Sequence, residues 1–165
     1  VAGRQTMVQR LFWAGSIGND DYRFPSGPEG VTTTTTHTIQ HMWTVMGSGS
    51  IKALDLWVNE GSTAQCTVGI FINESSVSAN TVHVTGSFVT HNIFGTGDRA
   101  HLFIDFKDPA NKNFITGSNS FNPGDLITVG ICKTAGSTFS NTMGTLYYEV
   151  DTTALRTNLP GGVPG

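Results

Sequence analysis

Apolar and polar residues alternate along most of the chain between residues 46 and 150. Six segments keep an apolar residue at every second position: IKALDLWV (51–58), TAQCTVGIFI (63–72), NTVHVTGSFV (80–89), RAHLFIDF (99–106), DLITVGICK (125–133) and TLYYEV (145–150). This period indicates β-strands with one face on a core and the other on solvent or a neighbouring layer. We therefore expect one shared core formed by Leu54, Leu56, Val68, Ile70, Leu102, Ile104, Ile127, Val129, Leu146 and Tyr148.

Turn-forming residues separate these segments. Asn, Gly, Ser and Asp cluster at 59–62, 73–76 and 95–98, and Asn122-Pro123-Gly124-Asp125 matches a type II turn. A β-branched stretch at 31–45 favours a further strand. We count eight or nine strands and no helix. The pattern predicts an all-β fold, a two-sheet antiparallel β-sandwich of jelly-roll or Greek-key type with extended N- and C-terminal arms.

The two ends of the chain differ from this central region. Residues 6–14 favour a first strand, whereas residues 16–30 and the tail hold too many Gly and Pro for a regular element. We divide the chain into an N-terminal strand with an extended arm or loop (1–30), a sandwich domain (31–150) and an extended C-terminal tail (151–165). The arms carry large side chains that gain from burial against a partner, namely Tyr22, Phe24, Leu155 and Leu159.

Composition argues against several classes of protein. Charged residues make up 13% of the 165 residues, against about 25% in an average soluble domain. The net charge of −3 provides no basic surface for nucleic acid. No apolar run reaches the roughly 20 residues of a membrane span. The length fits one domain, and its low-charge, Thr- and Gly-rich surface is typical of proteins packed in assemblies or found outside cells.

The two cysteines are expected to face opposite ways. Cys66 shares the register of the core residues in its strand, whereas Cys132 falls out of the register of Ile127, Val129 and Ile131. A disulfide needs Cβ atoms about 4 Å apart that point at each other. The sequence therefore favours two reduced structural thiols, with an oxidised pair as the open alternative.

Histidines and carboxylates do not form a recognisable catalytic or metal motif. His37 and His41 would lie about 13 Å apart on one strand, which is too far to share a zinc ion. The other histidines have no metal-ligand spacing, and no G-x-S-x-G motif is present. A Ca²⁺ site at Asn19, Asp20 and Asp21 is an alternative to a simple turn. We predict no catalytic, cofactor or metal site.

Large aromatic side chains provide the candidate contact residues. Trp57, Phe71, Phe103 and Tyr147 all have the parity opposite to the core residues of their strands. Four such rings on one outer sheet face would form a larger apolar patch than monomers normally expose, which indicates a subunit or capsid contact. A strand bulge, or cover of the sheets by the N-terminal segment, would equally account for this parity. Carbohydrate stacking is a further alternative, on Trp13, Trp43 or Trp57.

Residues 43–150 resemble small jelly-roll modules of phage virions, which occur in capsid decoration (cement) proteins and in tail-fibre or spike tips. The likeness lies in a Gly-Ser-Gly turn followed by a strand (47–56), a strand that ends in an Asn turn (67–73), and a Pro-Gly-Asp turn before a strand (123–129). The Pro-Gly-Asp feature also occurs in trimeric C1q/TNF-like jelly rolls. The resemblance implies a homotrimer without enzymatic activity.

Together these observations predict a viral structural protein. We expect a non-enzymatic capsid decoration protein of a tailed phage that stabilises the capsid surface as a homotrimer bound to the major capsid protein. No cofactor, nucleic acid or membrane partner is expected. The alternative is a receptor-binding fibre or spike tip that recognises a host surface glycan, and a secreted sugar-binding module is the third interpretation.

Overall fold

A computed structural model describes residues 3–18, 22–25, 42–74, 77–78, 80–92, 97–108, 112–114 and 117–153. Within them the chain forms eleven strands. They are β1 (Arg4–Ile17), β2 (Trp43–Thr44), β3 (Gly49–Val58), β4 (Gln65–Ile72), β5 (Val82–Ser87), β6 (Val89–Asn92), β7 (Asp98–Asp105), β8 (Lys112–Phe114), β9 (Ser120–Phe121), β10 (Leu126–Ala135) and β11 (Phe139–Asp151).

The strands form two antiparallel sheets that enclose one core. Sheet A has the order β1-β11-β3-β7-β6, with β9 also paired to β3, and sheet B has the order β2-β10-β4-β5-β8. Along the chain, β1 to β4 alternate between the sheets, and β10 and β11 then insert beside β4 and β3. Such interleaving of two sheets is the jelly-roll arrangement, so the predicted fold class is confirmed.

The alternating pattern correctly identified the core. Nine of the ten predicted core residues are buried, and Tyr148 is half-buried and packs against the others. The reason is the two-residue period of a strand, which turns every second side chain of β3, β7, β10 and β11 between the sheets. Trp13 and Phe139 also lie in this core and were not predicted there.

The predicted type II turn is present and is tied to the end of β4. Gly124 has φ +87°, and the Asp125 N–H donates to the Asn122 carbonyl over 3.1 Å. The side-chain amide of Asn73, which has φ +57°, donates to the Asp125 carboxylate over 2.9 Å. Asn73 Oδ1 in turn accepts the Leu126 N–H over 2.8 Å. The turn and β4 therefore position the start of β10 together.

The described strands differ from the prediction in number and in length. Eleven rather than eight or nine are present, because β6, β8 and β9 are too short for their alternation to be recognised. The first strand extends beyond residues 6–14 at both ends and pairs with β11 along most of its length. Of the predicted strand at 31–45, only Trp43–Thr44 is a described strand, because residues 31–41 lie outside the described part.

Helical backbone occurs among the described residues only at Thr152 and Thr153, directly after β11. That part of the chain contains no helix able to cross a membrane.

The two cysteines lie on opposite faces of sheet B. Cys66 is in the core, and Cys132 is on the outer side of the sheet. No disulfide joins them. The expectation of two thiols that face opposite ways is confirmed.

Candidate protein-interaction face

The outer face of sheet B is covered by the chain's own N-terminal region. Tyr22 and Phe24 pack edge-on against Phe71, with ring centroids 5.5 and 5.1 Å apart. The rings fit because Gly69 and Gly130 stand opposite each other on β4 and β10. A Cβ atom on Gly130 would come within 2.9 Å of the Phe24 ring and 3.0 Å of the Tyr22 ring. The glycine pair thus forms a recess for an aromatic cluster.

Backbone and side-chain hydrogen bonds hold this covering segment, which we call the N-terminal strap (residues 22–25). Arg23 and Ile131 exchange two backbone hydrogen bonds of 2.8 and 2.9 Å. The indole N–H of Trp13, inside the core, donates to the Arg23 carbonyl over 3.0 Å. The Tyr22 hydroxyl lies 3.2 Å from Nδ1 of His83. The strap is therefore attached to the core as well as to the outer face of sheet B.

Burial sets the protonation of the strap's polar pair. Desolvation raises the pKa of Tyr22 above its usual range, and nearby Cys132 and Cys66 raise it further. Desolvation also lowers the pKa of His83. Both shifts favour the neutral forms, so a neutral phenol and a neutral imidazole share this contact, and the imidazole tautomer decides which of the two donates.

Three predicted contact residues and one predicted sugar-stacking residue are therefore buried by other parts of the same chain, namely Phe71, Tyr22, Phe24 and Trp13. The expectation that four rings share one outer face is wrong for Phe71, because β4 belongs to sheet B and the strap covers it. Tyr22 and Phe24 are buried against Phe71 of the same chain rather than left for a partner. Trp13 is 1% exposed in the core and is closed to sugar. On sheet B, the alternative of cover by the N-terminal segment is the one that applies.

The outer face of sheet A is different, and we call it the open face: the outward side chains of β1, β11, β3, β7 and β6. One row of it crosses all five strands in register, through Phe12, Met143, Trp57, His101 and Val89. Strands lie about 4.8 Å apart, so this row is about 19 Å long. Phe12 and Val89, at its two ends, are 56% and 58% exposed.

Further apolar side chains lie on the same face beside this row. Phe103 is 56% exposed on β7, and Val8 is 54% exposed on β1. Tyr147, half-buried on β11, pairs directly with Val8. The predicted contact residues Trp57, Phe103 and Tyr147 therefore share one face. Val8, Phe12, Met143 and Val89 were missed, although the alternation of β1 already placed Val8 and Phe12 opposite to the buried Leu11 and Trp13.

The polar groups at the centre of the open face bind one another. His101 stacks on the Trp57 indole at 4.3 Å between ring centroids, and its Nε2 is hydrogen-bonded to Asp55 Oδ1. The His91 ring lies 6.2 Å from that of His101. Because His101 covers one side of the indole, a sugar ring would have only the other side to stack on. Within the described residues no group of three His, Cys, Asp or Glu side chains fits a metal ion.

Charged side chains lie at the margins of the open face. Glu149 binds Arg4 at 3.0 Å and Lys52 at 3.5 Å. Desolvation by itself would raise the pKa of the Glu149 carboxyl, but the two cations outweigh it and the pKa is lowered. Arg10 on β1 and Asp105 on β7 form no ion pair with another described residue. These two charges are of opposite sign and lie on different strands.

The remaining candidates are only partly placed. Trp43 is half-buried and packs against the core, so only part of its ring is available to a ligand. Leu155 and Leu159 lie outside the described residues, as do His37, His41 and residues 19–21 of the possible Ca²⁺ site.

No protein-family model matches this chain, and no curated protein sequence matches it. Among solved structures, a similar chain occurs in the structure of infectious bursal disease virus, Gx strain. The superposition covers 96% of this chain at 16% sequence identity, with a TM-score of 0.34. This chain spans 34% of the length of that chain. These values identify no family.

Proposed function

We propose that this chain is a non-enzymatic structural protein of a virus particle, a decoration protein that binds the capsid surface of a tailed phage as a homotrimer. The observation that carries the proposal is the contrast between the two outer faces. The strap covers the apolar side chains on the outer face of sheet B, whereas sheet A exposes Phe12, Val89, Phe103 and Val8 on one side. Exposed apolar side chains gathered on one face of a sheet are typical of a site for another protein.

The composition of the open face supports a protein partner. Aromatic residues, Met and Arg are enriched in protein interfaces, whereas Lys and Glu are depleted. Trp57, Tyr147, Met143 and Arg10 lie on this face, and Lys52 and Glu149 pair with each other at its margin. Complete burial of one Phe is worth about 1.5–3 kcal/mol. Because Phe12 and Phe103 are already half covered, each would contribute about half of that.

Such contacts are modest for a single subunit and become effective by repetition. A trimer on a lattice of capsid proteins presents three copies of each contact at once, and linked contacts bind far more tightly than one alone. The low charge of the chain, 13% of residues, reduces the cost of bringing many copies together. In this proposal the tail residues Leu155 and Leu159 attach the subunit to neighbouring capsid proteins.

The test is the presence of this protein on particles of the phage that encodes it. We expect quantitative mass spectrometry of purified virions to find it in a stoichiometric ratio to the major capsid protein, and electron microscopy to place it on the capsid surface. Absence from purified virions, or a location at the tail tip, would refute the decoration role.

Removal of the tail tests the part assigned to the C terminus. The cut belongs after Thr153, because the Thr152 N–H and hydroxyl both bind the Gly3 carbonyl and thereby hold the start of β1. We expect the shortened protein to keep its fold by circular dichroism and to occupy undecorated capsids at least ten-fold less. Undiminished occupancy would exclude the tail and leave the sheet faces and loops as the capsid contact.

A further inference from the structure

We propose that the open face joins one copy of this chain to the next in a closed ring, with β1 of one subunit against β7 and β6 of its neighbour. This inference rests on the self-association in the proposed function and assigns the open face to it, which leaves the tail and the other surfaces of the subunit to bind the capsid. A ring forms through a heterologous contact, in which two different patches of the same chain meet. The open face has two such patches, one at each side.

The two patches are complementary in chemistry. On β1, the exposed Val8 and Phe12 stand on either side of Arg10. On the far side of the sheet, β7 presents the exposed Phe103 next to Asp105 in the same outward row of side chains. Val89 on β6 extends that patch with one more exposed apolar side chain. Each patch therefore combines apolar side chains with a charge beside them, Arg10 on β1 and Asp105 on β7, and these two charges have opposite signs. Arg99 is also outward on β7, but it lies at the other end of that strand, where its guanidinium donates to the Asp98 carbonyl.

These charges cannot reach each other within one subunit. Strands β11 and β3 separate β1 from β7, so three inter-strand spacings, about 14 Å, lie between Arg10 and Asp105. Neither forms an ion pair with another described residue: the Arg10 guanidinium contacts Met143 and the Phe12 ring, and Asp105 accepts the Lys107 backbone N–H. A neighbouring copy offers each of them a partner of opposite charge.

The centre of the face is suited to being covered. Buried polar groups are costly unless they are hydrogen-bonded. Asp55 and His101 already bind each other, and Trp57 stacks on that histidine. A partner that covers this region can therefore leave the hydrogen bond between His101 Nε2 and Asp55 Oδ1 intact.

The first test compares two exposed apolar residues. Phe103→Ser removes a ring from the proposed contact, and Met46→Ser is the matched control, because Met46 is 60% exposed in the segment between β2 and β3 and off the open face. We expect analytical ultracentrifugation of the full chain to show a trimer for the wild type and for Met46→Ser. Phe103→Ser should raise the dissociation constant at least ten-fold. Equal dissociation constants for the two variants would overturn the inference.

The second test exchanges the charges. Arg10→Asp and Asp105→Arg should each raise the dissociation constant at least ten-fold, because like charges then meet across the contact. In the double variant both charges are exchanged, so its dissociation constant should return to within about three-fold of the wild-type value. Circular dichroism confirms that all variants fold. A double variant as weak as either single one would refute the pairing of these strands.

The same proteins separate this inference from the proposed function. A wild-type chain that is monomeric and still binds undecorated capsids would overturn the ring and leave capsid decoration standing. A wild-type trimer that weakens with Phe103→Ser but binds no capsid would support the ring and refute decoration.

Discussion

The aromatic recess on sheet B provides the sharpest test of how the N-terminal region folds. Phe24 is 0% exposed, and its ring packs on Phe71 above Gly130. Phe24→Ala removes a fully buried ring, so we expect a loss of about 3–5 kcal/mol in the free energy of unfolding. Gly130→Ala adds a methyl group 2.9 Å from that ring, and overpacking of this kind costs about 1–3 kcal/mol.

The two changes should not be additive, because they act on the same space. When Phe24 is already Ala, the nearest atom that the new methyl group would meet is gone. We therefore expect the double variant to be at least about 1 kcal/mol more stable than the sum of the single losses predicts. Residues in contact show interaction energies of about 0.5–3 kcal/mol, whereas distant sites add within about 0.5 kcal/mol.

Urea unfolding at one fixed protein concentration measures the stabilities of the wild type, the two single variants and the double variant, which together form a double-mutant cycle. Met46→Ala is the control, because its side chain is 60% exposed and the change should stay within about 0.5 kcal/mol. A loss below about 1 kcal/mol for Phe24→Ala would show that the strap is not part of the folded unit, since a buried ring is worth several times more. Additive losses would show that the Phe24 ring does not occupy the space above Gly130.

Three further predictions concern polar groups and thiols. Desolvation lowers the pKa of His83 in the folded chain, so the unfolded chain binds more protons in acid. The urea midpoint of the wild type should therefore fall as the pH drops below about 6.5. The midpoint of His83→Gln should fall less over the same pH range. Asn73→Ala loses two hydrogen bonds, one of them to Asp125, and places Ala at φ +57°. It should lower the free energy of unfolding in urea by about 2–3 kcal/mol, whereas Asn73→Gly should lower it less because Gly tolerates a positive φ. Equal losses for the two variants would refute the backbone contribution. Burial raises the pKa of the Cys66 thiol, and Cys132 is also buried. Iodoacetamide should therefore label neither cysteine in the native protein and both after denaturation, as measured by intact mass spectrometry. Labelling of the native protein would contradict this prediction.

The inward direction of the core side chains could be predicted from local sequence alone. Alternation along β3, β4, β7, β10 and β11 depends only on the two-residue period of a strand, so the core was predictable from Leu54 to Leu146. The type II turn at Pro123 and Gly124 was equally local, because it depends on the backbone preferences of adjacent residues. The opposite orientation of the two cysteines follows from the same period.

What covers the outward side of each strand could not be predicted in this way and required the folded structure. Phe71 and Phe103 have the same parity in the sequence, yet the strap covers Phe71 and leaves Phe103 exposed, because β4 and β7 belong to different sheets. The recess that receives the strap needs Gly69 opposite Gly130, a pairing between residues far apart in the chain. The row of side chains across the open face likewise comes from five separate strands. Periodicity determines to which face a side chain belongs, whereas long-range strand pairing determines its neighbours and therefore whether that face is covered or left for a partner.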